Sequence, residues 1–311
     1  MTPVASLVTA LGQNAALILP AVLLAAMAAV PLVAAAAGLS PAKRTKIFRN
    51  KFGQQAATLA LILLPLGLAA AAAAWYAPKP AGLPLAALAG DFYRFSWLPA
   101  GIAAVGAALL LVYRAAWQPL KDRKALHAAI GFAASLAFFA ALALTAGGVQ
   151  AARTAQLPAA ARLGALDLIF FTPPLAVLEL LLTAVAAALA LCFLYLLARR
   201  KADDFGRDYY IYTVALCLRW AGLPALVLAG LETWRFLAGL ALLGSAENLA
   251  PLLWLWPAAP VCALLAAAAC FAVSRSLTPL RFKELACGAF VLLYLAISIA
   301  VTANAALLTL P

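Results

Sequence analysis

Two charged residues inside long apolar stretches are the clearest candidates for chemistry in this chain. Glu179 lies in the apolar stretch 173–198, and Arg219 lies near the middle of the stretch 209–230. An arginine in the middle of a bilayer costs at least about 2.5–3.5 kcal/mol, so it should face the protein interior and bind a partner. Counting 1.5 Å per residue from the outer ends places the two α-carbons within about one and a half helical turns in depth. The sequence therefore predicts a Glu179–Arg219 ion pair, which either only fixes the two helices or also forms part of a binding site.

The elements that would position these charges are eight apolar stretches, each about long enough to cross a bilayer as a helix of about 20 residues. They are 15–38, 56–76, 98–117, 127–150, 173–198, 209–230, 250–273 and 286–308. The apolar share of the sequence is 68%, more than one soluble core of a 311-residue chain can bury. The sequence predicts an all-α integral membrane protein with a single polytopic domain over residues 1–311.

The positions of lysine and arginine predict the orientation of these helices. Four alternate short loops carry 5, 4, 4 and 3 basic residues, whereas the opposite side carries only five. The basic loops are 39–53, 114–126, 199–207 and 274–285. Since basic loops stay in the cytoplasm, we expect four helical hairpins in a bundle with both termini outside. The net charge of +12 then serves topology and the lipid bilayer, and no loop is long enough to form a domain that binds nucleic acid.

The residues around the first apolar stretch lead to two further predictions. No basic residue precedes this stretch, which favours a retained anchor over a cleaved signal peptide. The segment 43–54 has basic residues with Ile47, Phe48 and Phe52 between them, so we expect a short amphipathic stretch that lies on the lipid surface.

Residues that bind metals or haem are scarce. His127 is the single histidine, and it is expected to sit at the interface as a helix-end residue. Bis-histidine ligation of haem needs two axial nitrogens, so this chain alone cannot supply it. The five cysteines form no C-x-x-C pattern and are expected to pack as small apolar residues. They are Cys192, Cys217, Cys262, Cys270 and Cys287. We therefore expect no metal site and no cofactor bound by this chain alone, apart from a quinone.

Several loop segments resemble subunit I of cytochrome bd-type quinol oxidases. The run 48–54, Phe-Arg-Asn-Lys-Phe-Gly-Gln, is similar to the aromatic–x–x–Lys–Phe–Gly stretch that joins spans one and two in that family. The loop from Trp117 to His127 leads into a span that closes in Gly-Gly-Val-Gln at 147–150, like the family's Gly-x-x-Gln. The turn 195–212 also looks like its family counterpart. The resemblance covers residues 15–235 and implies an outer quinol-binding loop after span six.

The chain departs from that family where haem is bound. The first span contains no histidine, and the ligand histidine near the start of the fifth span falls at Pro173-Pro174-Leu175. The paired glutamates of span three fall within 99–110, which holds no carboxylate. The outer loop 231–249 is short but keeps Glu232 and Arg235. The resemblance thus implies a derivative without haems and without oxygen reduction.

These observations lead to one expected function and two alternatives. We expect a haem-less subunit of a respiratory electron-transfer complex in the bacterial cytoplasmic membrane, which anchors cytochrome or iron–sulfur partners and contributes to a quinol site. The residues expected at the quinol headgroup are Glu179, Arg219, Glu232 and Arg235, because they lie between the midplane and the outer surface. The alternatives are a small-molecule or ion transporter, for which midplane polar groups are sparse, and a purely structural protein.

Overall fold

The computed structural model describes residues 3–39, 45–76, 97–120, 122–155, 173–203, 205–243 and 255–307. Within these ranges the chain is helical apart from short turns, and no strand occurs. Among the described residues, eight helices are long and apolar enough to cross a membrane. The chain is therefore a multi-pass membrane protein, and the predictions of an all-α class and of eight membrane-length helices are confirmed.

The helices alternate along the chain with segments that lie mostly outside the described residues. Their bounds are α1 (Pro3–Leu39), α2 (Lys46–Tyr76), α3 (Trp97–Ala115), α4 (Lys124–Ala155), α5 (Pro173–Asp203), α6 (Arg207–Leu243), α7 (Ala258–Arg275) and α8 (Lys283–Leu307), with a 3₁₀ turn at Pro279–Phe282 before α8. Alanine and leucine have a high helix propensity. Within a bilayer, a helix also satisfies every backbone donor and acceptor between its ends inside the same segment. The predicted outer loops fall largely in 77–96, 156–172 and 244–254, outside the described residues.

Several helix boundaries differ from those expected from the sequence, and two of these differences involve charged segments. Helix α2 begins at Lys46 and runs without a break into the apolar stretch, so residues 46–54 are its first turns and not a separate surface stretch. Helix α6 continues past residue 230 to Leu243 and includes Glu232 and Arg235, which the sequence placed in a loop. Both segments mix charged and apolar residues, a composition that a helix end and a loop share. The second difference decides how the candidate site is built.

The chain forms two compact units. One unit contains Met1–Val22 and Ala165–Pro311, and within it α5 packs on α6, α6 on α7, and α7 on α8. Small residues make the closest contacts there: Ala229, Ala263 and Ala296 form one buried cluster contributed by three successive helices. Such side chains let helices approach closely where no water is present to drive association.

The other unit contains Leu23–Gly164, in which α3 packs on α2 and α4. Glycine again marks the tightest contacts. A Cβ added to Gly53 of α2 would lie 2.9 Å from Cη2 of Trp117 and 3.0 Å from the carbonyl oxygen of Ala34. A Cβ on Gly106 of α3 would lie 3.1 Å from the ring of Phe138. These glycines are needed for space and not for an unusual backbone conformation.

Candidate functional site

Three of the four residues expected at a binding site form one buried ionic cluster. Arg235 lies at its centre: Nη2 donates to Oε2 of Glu179 at 2.7 Å, and Nη1 donates to Oε1 of Glu232 at 2.8 Å. The Arg235 and Glu232 side chains are only 1% and 5% exposed, whereas the Glu179 side chain is 24% exposed. A ligand approaching this cluster would therefore meet Glu179 first. We call these three residues the carboxylate–arginine cluster.

The helix geometry explains why these side chains meet. Glu232 and Arg235 are three residues apart on α6, which places them on the same helix face. Helices α5 and α6 are joined by the short connection that follows Asp203, and they pack on each other. At 1.5 Å per residue, Glu179 lies about 36 Å from that end of α5, and Glu232 lies about 38 Å from the start of α6. The cluster thus forms where the two helices reach the same depth, far from their connection.

The predicted Glu179–Arg219 ion pair is wrong. Arg219 is exposed, and it makes no hydrogen bond or ion pair with any part of the chain that the structure describes. It lies only about 18 Å from the start of α6, so about 18 Å of depth separates it from Glu179. The prediction counted depth from residue 230 as the outer end of the helix. Since α6 extends to Leu243, that count placed Arg219 too close to Glu179, and Arg235 takes the expected position of the partner.

The carboxylate–arginine cluster is incompletely satisfied. Glu232 Oε2 and Arg235 Nε are buried and have no hydrogen-bond partner among the described residues. With both carboxyl groups ionised, the cluster carries one excess negative charge, which is costly in a region of low dielectric constant. One added proton would make the cluster neutral. The arrangement can therefore accept a proton or a hydrogen bond through the partly exposed Glu179, while Arg235 holds the Glu179 carboxylate in place.

A second cluster, of polar and aromatic residues, lies in the unit that contains α3 and α4 and was not predicted from the sequence. The His127 ring stacks on Tyr113 at a centroid distance of 4.3 Å, and its Nε2 lies 2.9 Å from the Tyr113 carbonyl oxygen. The Trp117 ring meets His127 edge-on at 4.7 Å. His127 lies in the first turn of α4, so it is a helix-end residue as expected, and it is also packed among aromatic rings. The spacing of Tyr113 and Trp117, one helical turn apart, is the signal that could have revealed this cluster.

Polar side chains from α2 and α4 complete the surroundings of His127. Lys124 Nζ donates to Oδ1 of Asn50 at 2.9 Å. These residues and the aromatic rings line a cavity of about 70 Å³. A cavity of that size accommodates about two water molecules, each taking about 30 Å³ in the liquid. The carboxylate–arginine cluster is the better candidate for a ligand site, because it joins unsatisfied buried polar atoms to a partly exposed carboxylate.

Within the described residues, no group of three or more histidine, cysteine, aspartate or glutamate side chains is arranged to hold a metal ion. The five cysteines are free thiols, and Cys192, Cys217 and Cys270 are buried. Comparison with family models, with curated proteins and with solved structures finds no match to this chain. The function must therefore be argued from the site itself.

Proposed function

We propose that this chain is a haem-less integral-membrane subunit of a respiratory electron-transfer complex that provides a quinol site at the carboxylate–arginine cluster. In this proposal the eight helices form four hairpins in the bacterial cytoplasmic membrane, with both termini outside. The observation that carries the proposal is the buried Arg235 held between two carboxylates, one of which, Glu179, is partly exposed. The resemblance to subunit I of cytochrome bd-type quinol oxidases agrees with a quinol as the substrate.

The chemistry of a quinol headgroup suits this cluster. Oxidation of a quinol to a quinone releases two protons and two electrons. Glu179 can accept a hydrogen bond from one quinol hydroxyl and then take up its proton, which removes the excess negative charge of the cluster. Arg235 keeps the Glu179 carboxylate in place, and Glu232 balances the guanidinium from its other side. The second proton leaves to water, and the electrons pass to a redox centre of a partner subunit, either a cytochrome or an iron–sulfur protein.

Arg219 supports the part of the proposal that concerns a partner subunit. Its α-carbon lies deep in the span, and its side chain is exposed at one end of a helix face that includes Leu223, Val227 and Trp234, each about half exposed. An intramembrane arginine requires an anionic or polar partner. The carboxylates within the described spans that lie at this depth or further out, Glu179 and Glu232, already bind Arg235. A transmembrane helix of another subunit that carries an aspartate or glutamate satisfies this need.

The quinol site is tested by replacing the partly exposed carboxylate of Glu179. Glu179→Gln keeps the shape and one hydrogen-bond acceptor but removes the base, so we expect quinol oxidation by the intact complex to fall at least tenfold, as loss of general-base catalysis implies. Glu284→Gln is the matched control, because Glu284 is exposed in the first turn of α8. The readout is quinol-dependent reduction of the partner's redox centre. Equal rates for the wild type and for Glu179→Gln would exclude the cluster as the quinol site.

The subunit role is tested separately at Arg219. We expect Arg219→Leu to remain folded and membrane-inserted but to lose stoichiometric co-purification with its redox partner in mild detergent. Arg275→Leu is the control, since Arg275 is exposed at the end of α7. A chain that purifies alone in its wild-type form would contradict the subunit role.

The transporter hypothesis depends on one observation: two carboxyl groups share a single arginine, and one of them, Glu179, is partly exposed. If both are ionised, the cluster can bind a proton or another cation. It predicts ion flux by the chain alone in proteoliposomes, and Glu179→Gln should abolish that flux. Quinol-dependent electron transfer in the complex, without such flux, would decide for the respiratory role.

A further inference from the structure

Three arginines from three separate segments line one cavity, which lies where α5 connects to α6. Arg200 lies in the last turn of α5, Arg207 begins α6, and Arg281 lies in the 3₁₀ turn before α8. The cavity measures about 240 Å³, and Thr278, Ile211 and Leu280 complete its lining. We call it the arginine pocket. The proposed quinol site lies toward the opposite ends of α5 and α6 and does not involve these residues.

The three guanidinium groups have no anionic partner in the part of the chain that the structure describes. By contrast, the neighbouring Arg199 forms a 2.6 Å ion pair with Asp203 one turn further along α5. All three pocket arginines are exposed. Three like charges around one cavity repel each other unless an anion lies between them, and arginine binds phosphate oxygens with two parallel hydrogen bonds. The pocket is therefore built to receive a phosphate group.

We propose that the arginine pocket binds the headgroup of an anionic phospholipid. The apolar spans of α5 and α6 end at Asp203 and begin at Arg207, which places the pocket at the level of the lipid headgroups. Ile211 and Leu280 give the cavity an apolar side on which the glycerol and the first acyl carbons can pack, and a soluble phosphate would leave that side unused. Basic pockets between transmembrane helices are known to bind such headgroups.

The charge of the pocket further specifies the lipid. Three guanidinium groups exceed the single negative charge of a phosphodiester, so a lipid with two phosphates neutralises the pocket better than a lipid with one. We expect cardiolipin to bind more tightly than phosphatidylglycerol, and phosphatidylcholine to bind only as bulk lipid does. Inorganic phosphate should compete weakly, because it gains nothing from Ile211 and Leu280.

The test uses the full chain, purified in a neutral detergent and freed of lipid, with native mass spectrometry to count bound lipids during titration. Each basic residue near a membrane surface contributes about 1 kcal/mol to binding an anionic lipid. We therefore expect Arg207→Gln/Arg281→Gln to weaken cardiolipin binding about 30-fold, and Arg281→Gln alone to weaken it about fivefold. Lys46→Gln/Arg123→Gln removes the same charge from exposed residues of the other unit and should leave the affinity unchanged.

Three results would overturn the proposal. Equal affinity of the wild-type chain for cardiolipin and phosphatidylcholine would mean that the pocket does not select an anionic headgroup. Displacement of cardiolipin by millimolar inorganic phosphate would reassign the pocket to a soluble phosphate-bearing ligand. A loss of affinity in the control variant as large as that in the pocket variant would show that only net charge matters, and it would equally refute the site. The single Arg281→Gln variant keeps the test valid if the double variant is poorly folded.

Discussion

Removing Arg235 should destabilise the protein far more than neutralising either of its carboxylate partners alone. Arg235→Leu leaves Glu232 and Glu179 facing each other without a cation, and the Glu232 side chain is only 5% exposed. Loss of one partner from a buried ion pair costs about 3–5 kcal/mol, because the remaining charge is uncompensated. We expect the cost of Arg235→Leu to fall in this range. Most of that cost should arise at Glu232, because the Glu179 side chain is 24% exposed and its charge is less completely buried.

The effects of the two glutamine variants on stability should not be additive. Glu232→Gln keeps an oxygen that can accept from Arg235 Nη1 and removes the excess negative charge, so its cost should stay within about 1 kcal/mol. Glu179→Gln should behave in the same way. The double variant leaves the buried Arg235 cation without any carboxylate, and its cost should return to about 3 kcal/mol or more. The difference between the double variant and the sum of the single variants is thus an interaction energy of at least about 1 kcal/mol.

The assay is reversible unfolding in mixed micelles, titrated with a denaturing detergent and followed by tryptophan fluorescence. A triple variant, Arg235→Leu with both glutamates changed to glutamine, serves as the control because it removes every charge of the cluster together. We expect it to be closer in stability to the wild type than Arg235→Leu is, since replacing a whole buried ionic group by neutral residues is often near neutral. Wild-type stability of Arg235→Leu, or additive effects of the two glutamine variants, would refute the reasoning.

Two further predictions concern packing in the unit that contains α2–α4. Gly53→Ala should destabilise by about 1–3 kcal/mol, because the new Cβ would lie 2.9 Å from Trp117. The control is Gly288→Ala on α8 of the other unit, where nothing lies within 4 Å of the new Cβ. This variant should be neutral or stabilising by up to about 1 kcal/mol. Equal effects of the two variants in the unfolding assay would contradict this prediction. His127→Leu should cost about 0.5–1.5 kcal/mol through loss of the stacked contact with Tyr113, and unchanged stability would show that the contact contributes nothing.

The membrane class and the number of helices were predictable from the sequence because they depend on local composition. A segment inside a bilayer must satisfy its backbone hydrogen bonds within itself, so a long apolar run such as 18–39 can only be a helix. The positions of charges within these runs singled out Glu179 and Arg219, whereas Glu232 and Arg235 were expected in the outer loop 231–249. Local rules could go this far because each rule concerns one segment at a time.

The ends of the helices were less predictable, and the candidate site depended on them. Residues 231–243 contain Glu232, Thr233 and Arg235 among apolar residues, and this mixture suits a surface loop and a helix end alike. Each residue of error in a helix boundary shifts the estimated depth by 1.5 Å. The 13 residues from 231 to 243 add about 20 Å to the helix, and this total is enough to exchange Arg219 for Arg235 as the partner of Glu179.

The sequence by itself therefore determined that the described part of the chain forms eight helices long and apolar enough to cross a membrane, and which segments carry charge. Only the tertiary structure decided which charges meet: Glu179 with Arg235, Arg200 with Arg207 and Arg281 around one cavity, and His127 with Tyr113. The physical reason is that helix formation in a bilayer is fixed by the segment's own backbone and composition, whereas contacts between helices depend on their relative depth and rotation. Those two quantities are set by packing over whole helices, and no single segment encodes them.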